Sequence, residues 1–462
     1  MQYQDTYYFS FIEAKKEAIQ HNVSNYNLQI CYYDGEKVDT SLINLIHLPY
    51  QDIVNVLGKG NSRIPTLLSF DGIDKPYEEM VEIAKNTNLL FEQAKVLHCN
   101  ITNQYIAKIK NNKPNFKQKL RFYLAANNTT KVMSNVSKNI VETLKNNNCE
   151  VKFLLDYGCD FWKEVKVIAE YNPHIIININ HLNNGTLNED IYNIIWIQDF
   201  FAIKQLEGKK LRKRDFIFSL IPEFDAQLDS LGITCQRQSF CVNNEIFKVD
   251  TKIEKKKKIV FIGSSYRSFI DFEKYDTIIQ ELTYEFENGR IFNEKYLKSI
   301  GIKYSLNPKF IEEKLLHYII RDISVLNLCN INTNYVIEIY GRGWDEYSVL
   351  KNFCKGEIKY GEEISKIYNS ATYALCPHPL SILQQRTFES SASGAIPLVY
   401  DCRELTTEST YEEAVIYFRT TNDLEKILQN DNIPKKDFTN LLEENSYKHF
   451  ITKILDIVKE DK

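Results

Sequence analysis

The sequence has 462 residues, of which 44% are hydrophobic and 13% aromatic, and a formal net charge of -4. This length is enough for two or three domains with their own cores, and the composition excludes a disordered chain. A charge so close to neutral also excludes a general affinity for nucleic acid.

Two further patterns predict where the protein works. The ten cysteines are spread along the chain without a C-x-x-C pair, which favours a reduced, cytosolic compartment. No run of about 18 apolar residues and no signal-peptide pattern occurs, so the sequence predicts neither secretion nor a membrane span. Basic segments at 108–119, 208–214 and 255–258 leave open a peripheral attachment to the inner face of an anionic membrane.

Residues 1–117 have the least regular pattern and are predicted to form an α/β extension. Helices are expected at Phe11–His21 and at Tyr77–Lys95, where apolar residues recur at helical spacing. The extension ends in the basic, proline-broken segment Lys108–Lys119, which indicates a linker or a solvated edge.

From residue 118 to about 250, strands and helices alternate. Apolar runs at Leu120–Ala126, Glu150–Leu155 and Ile175–Ile179 are separated by amphipathic helices, which predicts a doubly wound parallel sheet. The first of these strands is followed by AANNTTK and not by G-x-G-x-x-G, which argues against a dinucleotide oxidoreductase. Ligands of such sheets gather at the carboxyl ends of strands. His181 and Asp199 each follow a predicted strand and are therefore candidate bases.

A second alternating unit spans residues 251–462 and begins with the strand Ile259–Gly263. The strand is followed by hydroxyl groups and by Arg267, a combination suited to phosphate. A helix is predicted at Pro308–Leu328, and the strand Tyr335–Tyr340 leads into Gly341-Arg342-Gly343-Trp344. Two glycines beside an arginine allow the backbone and the guanidinium to approach a ligand closely.

The stretch Ile358–Tyr400 reads as strand, helix, strand, loop, helix and strand. Its loop Cys376–Pro379 contains His378, and Ser381 is predicted to cap the following helix, whose N–H groups would then face an anion. Arg386 and Glu389 are three residues apart on one helix face. A carboxylate can accept from a ribose diol and a guanidinium can clamp a phosphate, which suits a nucleotide. The alternative is a surface Arg–Glu pair.

These motifs resemble the CgeB-like group of GT-B glycosyltransferases and, more broadly, the glycosyltransferase family 4-like C-terminal domain. The positions that match the group's "Y-G, Y-N-x-A/S, R-x-F-E-x-x-A-x-G" pattern are Tyr360, Gly361, Tyr368, Asn369, Ser370, Arg386, Phe388, Glu389, Ala392 and Gly394. The resemblance implies an α/β protein of GT-B fold, with two facing Rossmann-like doubly wound domains behind the extension. Residues 118–250 would form the acceptor domain and 251–462 the donor domain, with the last helix crossing back.

The resemblance also implies a hexosyltransferase that moves a sugar from a nucleoside-diphosphate sugar to a bacterial glycan, a lipid-linked precursor or a protein. No cofactor and no metal are expected, and Arg386 is expected to act on the leaving diphosphate. The positions implied to bind the donor are Ser264, Arg267, Gly341, Arg342, Gly343, Trp344, Tyr360, Ser381, Gln385, Arg386, Phe388 and Glu389. Position 382 is Ile where the retaining branch has a second glutamate, so retention and inversion both stay open.

An inverting transfer needs a general base, for which His181, Asp199 and His378 are the candidates. Two other functions are compatible with the same architecture. One is a nucleotide-sugar 2-epimerase, which would need several carboxylates and histidines around the sugar. The other is a noncatalytic protein that binds a nucleotide sugar.

Overall fold

The computed structural model describes residues 6–22, 30–32, 45–60, 64–127, 131–156 and 161–461. The strands are β1 (Thr6–Tyr8), β2 (Ile30–Tyr32), β3 (Leu45–His47), β4 (Leu67–Ser69), β5 (Arg121–Asn127), β6 (Glu150–Asp156), β7 (Ile175–Ile179), β8 (Tyr192–Ile197), β9 (Asp215–Ser219), β10 (Cys235–Arg237), β11 (Lys256–Ile262), β12 (Val336–Tyr340), β13 (Ala371–Cys376), β14 (Ile396–Tyr400) and β15 (Ile416–Phe418).

The helices are α1 (Phe11–Asn22), α2 (Tyr50–Gly58), α3 (Tyr77–Asn111), α4 (Lys131–Asn146), α5 (Phe161–Tyr171), α6 (Phe200–Lys204), α7 (Pro222–Ser230), α8 (Phe272–Glu287), α9 (Glu294–Tyr304), α10 (Pro308–Phe310), α11 (Leu316–Tyr318), α12 (Ser324–Asn330), α13 (Glu362–Ser370), α14 (Gln385–Ala392), α15 (Thr421–Gln429), α16 (Thr439–Glu444) and α17 (Tyr447–Glu460). Short 3-10 turns lie at Arg267–Phe269 and Ser348–Leu350, and π-helical turns at Ile311–Leu315 and Ile319–Ile323.

The N-terminal extension contains a four-stranded parallel sheet in the order β3-β2-β1-β4. Tyr7 and Phe9 from its central strand region pack against Phe91 of α3, and the Tyr7 hydroxyl donates to the Leu48 carbonyl at 2.7 Å. This confirms the predicted α/β extension. The helix expected at 77–95 continues to Asn111, because no proline or glycine interrupts it.

The second sheet has six strands in the order β10-β9-β8-β7-β5-β6. All residues of β7 and β8 are buried, which explains why both are mostly apolar without alternation, with one asparagine in each strand. The chain begins this sheet at β5, places β6 on one side and continues on the other side with β7. That reversal between β5 and β7 is the topological switch point of the sheet.

The third sheet has five parallel strands in the order β12-β11-β13-β14-β15. Its first strand, β11, lies between β12 and β13, so the switch point falls between β11 and β13. One core surrounds this sheet and contains fully buried residues of every strand in it. The predicted fold class, α/β with two Rossmann-like parallel sheets, is confirmed.

By its internal contacts the chain forms two compact units, residues 1–196 with 204–216 and residues 197–203 with 217–462. The last helix, α17, packs inside the second unit, where the rings of Phe450 and Phe218 lie 5.2 Å apart. None of the described helices is both long enough and apolar enough to cross a bilayer. The three domains proposed from the sequence stay a prediction.

Candidate functional site

The switch point of the five-stranded sheet is flanked by two loops at the carboxyl edge. One is residues 263–266 after β11, and the other is residues 377–384 after β13. In open parallel sheets this is where the two loops diverge and leave a crevice for a ligand. Several of the residues predicted from the sequence lie on these two loops or on the helix that follows.

A helix that runs from Pro308 to Asn330 passes beside the first loop and holds it in place. It contains two π-helical turns, a local irregularity that is frequent at functional sites. From the second of these turns the fully buried Asp322 accepts from the Ser265 hydroxyl at 2.5 Å and from the Tyr266 N–H at 3.1 Å. The loop after β11 is therefore fixed by a carboxylate that the sequence analysis did not single out.

Arg321, next to Asp322, is a half-buried cation. Its guanidinium stacks over the Tyr266 ring at 4.1 Å, and one N–H reaches the Ser264 carbonyl at 3.4 Å. The Nε atom is buried and has no hydrogen-bond acceptor, and no described carboxylate forms an ion pair with this side chain. Burial, together with the charge of Arg386, lowers the pKa of Arg321, and Tyr266 and Asp322 oppose that shift only in part. An anionic ligand would accept a hydrogen bond from the unsatisfied Nε–H and would balance the charge of the guanidinium. It would thus remove the cost of the unpaired donor and the cost of burying the cation.

Two histidines, His317 and His378, meet beside this arginine with ring centroids 4.9 Å apart. Burial lowers the pKa of His317 to about 4 and that of His378 well below its ordinary value, and Arg321 lowers both further. Both rings are therefore neutral at pH 7. The Leu380 N–H donates to His378 Nδ1 at 3.3 Å, which leaves the ring proton on Nε2. His378 can then donate to an oxyanion, whereas its Nε2 cannot accept a proton as a base.

Arg386 and Glu389 form the other half of the cluster, on α14. Arg386 Nη1 donates to Glu389 Oε2 at 2.5 Å, and Gln385 Nε2 donates to Glu389 Oε1 at 2.8 Å and to the Tyr360 hydroxyl at 3.3 Å. Glu389 is fully buried, while the Arg386 side chain is 34% exposed. Burial raises the pKa of the Glu389 carboxyl and Arg386 opposes that shift. Burial also disfavours the charge on Arg386, but the Glu389 carboxylate outweighs it and raises the pKa of Arg386.

Trp344 and Phe388 are placed in the core of the second unit, where both are almost wholly inaccessible to solvent. The Trp344 indole N–H donates to the Gly263 carbonyl at 2.7 Å, and its ring packs edge-on against Phe261. Both side chains therefore belong to the core that supports the loops.

The glycines of the loop after β12 allow this loop to lie close against the loop after β11. A Cβ on Gly341 would lie 2.1 Å from the Gly263 carbonyl oxygen, and the φ of Gly341 is +135°. No other residue fits there. A Cβ on Gly343, whose φ is +78°, would lie 3.3 Å from Ser265 Cβ.

Arg342 and Arg267 are both directed to carboxylates. Arg342 Nε lies 2.7 Å from Glu357 Oε1 with 65% of its side chain exposed. Arg267 Nε lies 3.6 Å from Glu346 Oε2. The structure thus brings Arg386 together with Arg321 at the switch point, and not with Arg342.

Ser381 does not cap α14, so that prediction was wrong. The helix begins at Gln385, and the Ser381 hydroxyl donates to Glu408 Oε1 at 2.8 Å. Glu408 Oε2 also accepts the Ile382 N–H at 2.6 Å and the Leu383 N–H at 3.3 Å. Two consecutive N–H groups of this loop are therefore used by a buried carboxylate, and burial raises the pKa of that Glu408 carboxyl.

In the other sheet the predicted bases His181 and Asp199 are exposed and follow β7 and β8. A carboxyl that the sequence analysis missed lies in the first turn of α5. Glu164 Oε2 accepts from Asn183 Nδ2 at 3.3 Å, and burial raises the pKa of Glu164 to about 7. The available signal was its place at the start of a helix that follows a parallel strand, where ligands gather.

No comparable signal marked Arg321, His317 or Asp322 in the sequence. They lie on a helix whose pattern is that of an ordinary amphipathic segment, and their relation to the loops depends on tertiary packing. Within the described ranges no group of three His, Cys, Asp or Glu side chains is arranged to hold a metal ion.

A parallel α/β domain with arginines, neutral histidines and an Arg–Glu pair at its switch point is equipped to bind a phosphorylated ligand. Residues 324–456, under a third of the chain, match a family model described as glycosyl transferase-like. This part of the chain is therefore similar to glycosyltransferases, and it includes His378, Arg386 and Glu389. The narrower CgeB-like assignment stays a prediction.

No curated protein matches the sequence. Among solved structures, the chain is similar to sucrose-phosphate synthase from Thermosynechococcus elongatus at 10% identity and a TM-score of 0.46. The match covers 74% of this chain and 99% of that protein.

Proposed function

We propose that the chain is a glycosyltransferase of the GT-B type, which transfers a sugar from a nucleoside-diphosphate sugar to an acceptor hydroxyl. The observation that carries the proposal is the cluster of Arg321, Arg386 and His378 at the switch point of the five-stranded sheet. Arg386 has a carboxylate partner among the described residues, whereas Arg321 has none. A diphosphate supplies the missing negative charge and accepts hydrogen bonds from all three side chains.

The proposed chemistry is stabilisation of the leaving group. As the bond between the anomeric carbon and the diphosphate oxygen breaks, the nucleoside diphosphate departs with the bonding electrons. Arg321 and Arg386 bind the phosphate oxygens on which charge increases, and His378 donates from Nε2. These donors are held in place before the reaction, which is the condition under which such stabilisation is most effective. We expect no bound metal, because the side chains provide the positive charge.

The nucleoside end of the donor is assigned to Tyr360, Gln385 and Glu389 in this proposal. The Glu389 oxygens already accept from Gln385, Arg386 and Tyr360, so the carboxylate can accept from both hydroxyls of a ribose only if one of these donors is displaced. Because Glu389 is fully buried, ribose reaches it only if the half-buried Gln385 side chain turns aside.

For the acceptor we propose Glu164 as the general base of an inverting transfer. A carboxyl with a pKa near 7 can take a proton from a hydroxyl at neutral pH, which an ordinary glutamate does poorly. Asn183 orients this carboxyl through its amide. The acceptor class stays a bacterial glycan, a lipid-linked precursor or a protein, and a peripheral membrane contact is compatible with each.

The experiment is incubation of the purified protein with a panel of nucleoside-diphosphate sugars, with and without cell-derived acceptors. Release of nucleoside diphosphate together with a glycosylated acceptor is the expected result. Conversion of the donor to a sugar epimer without an acceptor would instead identify a 2-epimerase. Binding without turnover of any donor would identify a noncatalytic nucleotide-sugar-binding protein.

A further inference from the structure

A cavity of about 440 Å³ opens at the amino edge of the five-stranded sheet. Its lining includes the starts of β11, β13 and β14 and the loop 433–436. Because the strands are parallel, this edge is opposite to the carboxyl edge that carries the switch-point loops. The cavity is therefore separate from the proposed donor site.

The lining of this cavity is strongly basic and contains no acidic side chain. Its charged members are Lys255, Lys256, Lys257, Lys435 and Lys436. Asp431 pairs with Lys257 at 2.9 Å but lies outside the lining and is mostly exposed. Among the described residues, the ammonium groups of Lys256 and Lys435 donate no hydrogen bond and form no ion pair. The lining thus contributes five cations and no anion to the cavity.

Two of the lysines are oriented by backbone carbonyls. The Lys255 ammonium donates to the Gly394 carbonyl. The Lys436 ammonium donates to the carbonyls of Glu412 and Val415, and both of these bonds are 2.7 Å long. Carbonyl oxygens orient an ammonium without neutralising it. Burial lowers the pKa of both Lys255 and Lys436, and at Lys436 the charges of Glu412 and Glu413 oppose that shift without cancelling it.

We propose that this cavity binds a ligand with two phosphate groups. Lysine ammonium groups are compact, strongly hydrated charges that bind phosphate, and one phosphate would balance only part of the charge of five lysines. Soluble diphosphates and the headgroup of a diphosphatidyl lipid share this chemistry. The Ile433 side chain, 40% exposed in the lining, is placed to contact an apolar portion of such a ligand.

The test measures binding of inorganic pyrophosphate by calorimetry to the full chain. It is carried out in the Arg321→Gln background, where the proposed donor site is weakened, and in the unchanged protein. The variant is Lys256→Met with Lys435→Met, because neither side chain holds the fold together. The matched control is Lys295→Met with Lys366→Met, which removes the same charge from exposed helical positions outside the lining. A parallel arm uses phosphatidylcholine vesicles with and without cardiolipin in a flotation assay.

Pyrophosphate or cardiolipin binding that falls at least about tenfold in the lining variant, and not in the control, supports the cavity and identifies the source of the phosphates. Equal binding by the lining variant and the control, or no binding in either arm, overturns the proposal. If the double variant fails to fold, Lys435→Met alone repeats the comparison, since Lys435 is on an exposed loop. The outcome is independent of the proposed donor site, because Arg321→Gln leaves this cavity intact.

Discussion

At the scale of single residues, the proposed binding role of Arg321 comes with a cost in stability for the unliganded protein. Its orphaned Nε and lowered pKa mean that folding buries a cation without full compensation. We expect Arg321→Gln to weaken nucleoside-diphosphate binding at least about tenfold while leaving the free energy of unfolding equal or higher by about 1 kcal/mol. Calorimetry and urea unfolding measure the two effects.

The control for that variant is Arg342→Gln, because Arg342 pairs with Glu357 and is largely exposed. Exposed ion pairs of this kind contribute little, so binding and stability should both stay close to those of the unchanged protein. An equal loss of affinity in the two variants would contradict the assignment of Arg321.

Glu389 is expected to be essential for the nucleoside end of the donor. Glu389→Ala would leave Arg386 without its partner and so destabilise the domain, which obscures its effect on binding. Glu389→Gln keeps the shape and one acceptor oxygen, and we expect donor affinity to fall at least about tenfold with the fold preserved. Circular dichroism shows whether the fold is preserved, and equilibrium dialysis with the donor identified by the panel measures the affinity. Unchanged affinity would remove Glu389 from the site.

Glu164→Gln tests the proposed general base by two independent measurements, the pH dependence of stability and the pH dependence of activity. Because the folded pKa of about 7 lies above the unfolded value, the wild-type protein loses stability as pH rises through about 4 to 7. The variant should therefore be more stable at pH 8, by about 1 to 3 kcal/mol.

If Glu164 is the base, the variant also loses at least about 100-fold in kcat, and the limb of the kcat/KM profile near pH 7 disappears. A change in stability with an unaltered pH profile would leave Glu164 a purely structural residue. Glu170→Gln, on the exposed end of the same helix, is the matched control and should alter neither measurement.

At the scale of elements, the helix from Pro308 to Asn330 couples the site to pH. Its His317 and the loop residue His378 are buried in the neutral form, so the unfolded chain binds more protons than the folded one below about pH 6.5. On acidification from pH 7.5 to 5 each of these histidines should therefore lower the free energy of unfolding by about 2 kcal/mol, whereas the raised pKa of Glu164 acts in the opposite direction over part of the same range.

His317→Gln should remove about 2 kcal/mol of the destabilisation on acidification relative to the unchanged protein, as seen in urea unfolding at the two pH values. Lys298→Gln, an exposed change on α9, should leave it as in the unchanged protein. An identical pH dependence in all three proteins would show that these histidines titrate normally.

Another element-scale result concerns the Y-N pair of the sequence pattern. Asn369 Nδ2 donates to the Lys248 carbonyl at 2.9 Å, and its Oδ1 accepts the Asp250 N–H at 2.6 Å. These bonds attach the segment before β11 to α13. Asn369, a position of the family pattern, thus has a structural role. Its side-chain amide satisfies backbone groups that form no hydrogen bond within a strand or helix.

At the scale of the whole molecule, the end of the chain stabilises the second unit. Phe450 and Ile454 of α17 are fully buried, and Val242 pairs with Ser446 across a β-bridge. Phe450→Ala should lower the free energy of unfolding of this unit by about 3 to 5 kcal/mol. Phe269→Ala, at a side chain that is 69% exposed, should lower it by less than about 0.5 kcal/mol. Urea midpoints that shift equally would contradict this packing.

By itself the sequence determined the alternation of strands and helices, the parallel sheets and the position of the Arg386–Glu389 pair, because hydrophobic period and helical spacing are local properties. It also indicated the glycines after β12, although it predicted a ligand where the structure has another backbone. The start of α14 was misjudged, since Ser381 is captured by the distant Glu408.

Only the tertiary structure decided which charges meet. Arg321 reaches the switch point because its helix packs beside the loop that contains Ser264, 57 positions earlier in the chain. Burial by the fold raises the pKa of Glu164 to about 7. Burial and the pairing of charges depend on residues brought together from distant parts of the chain, and no local pattern encodes them.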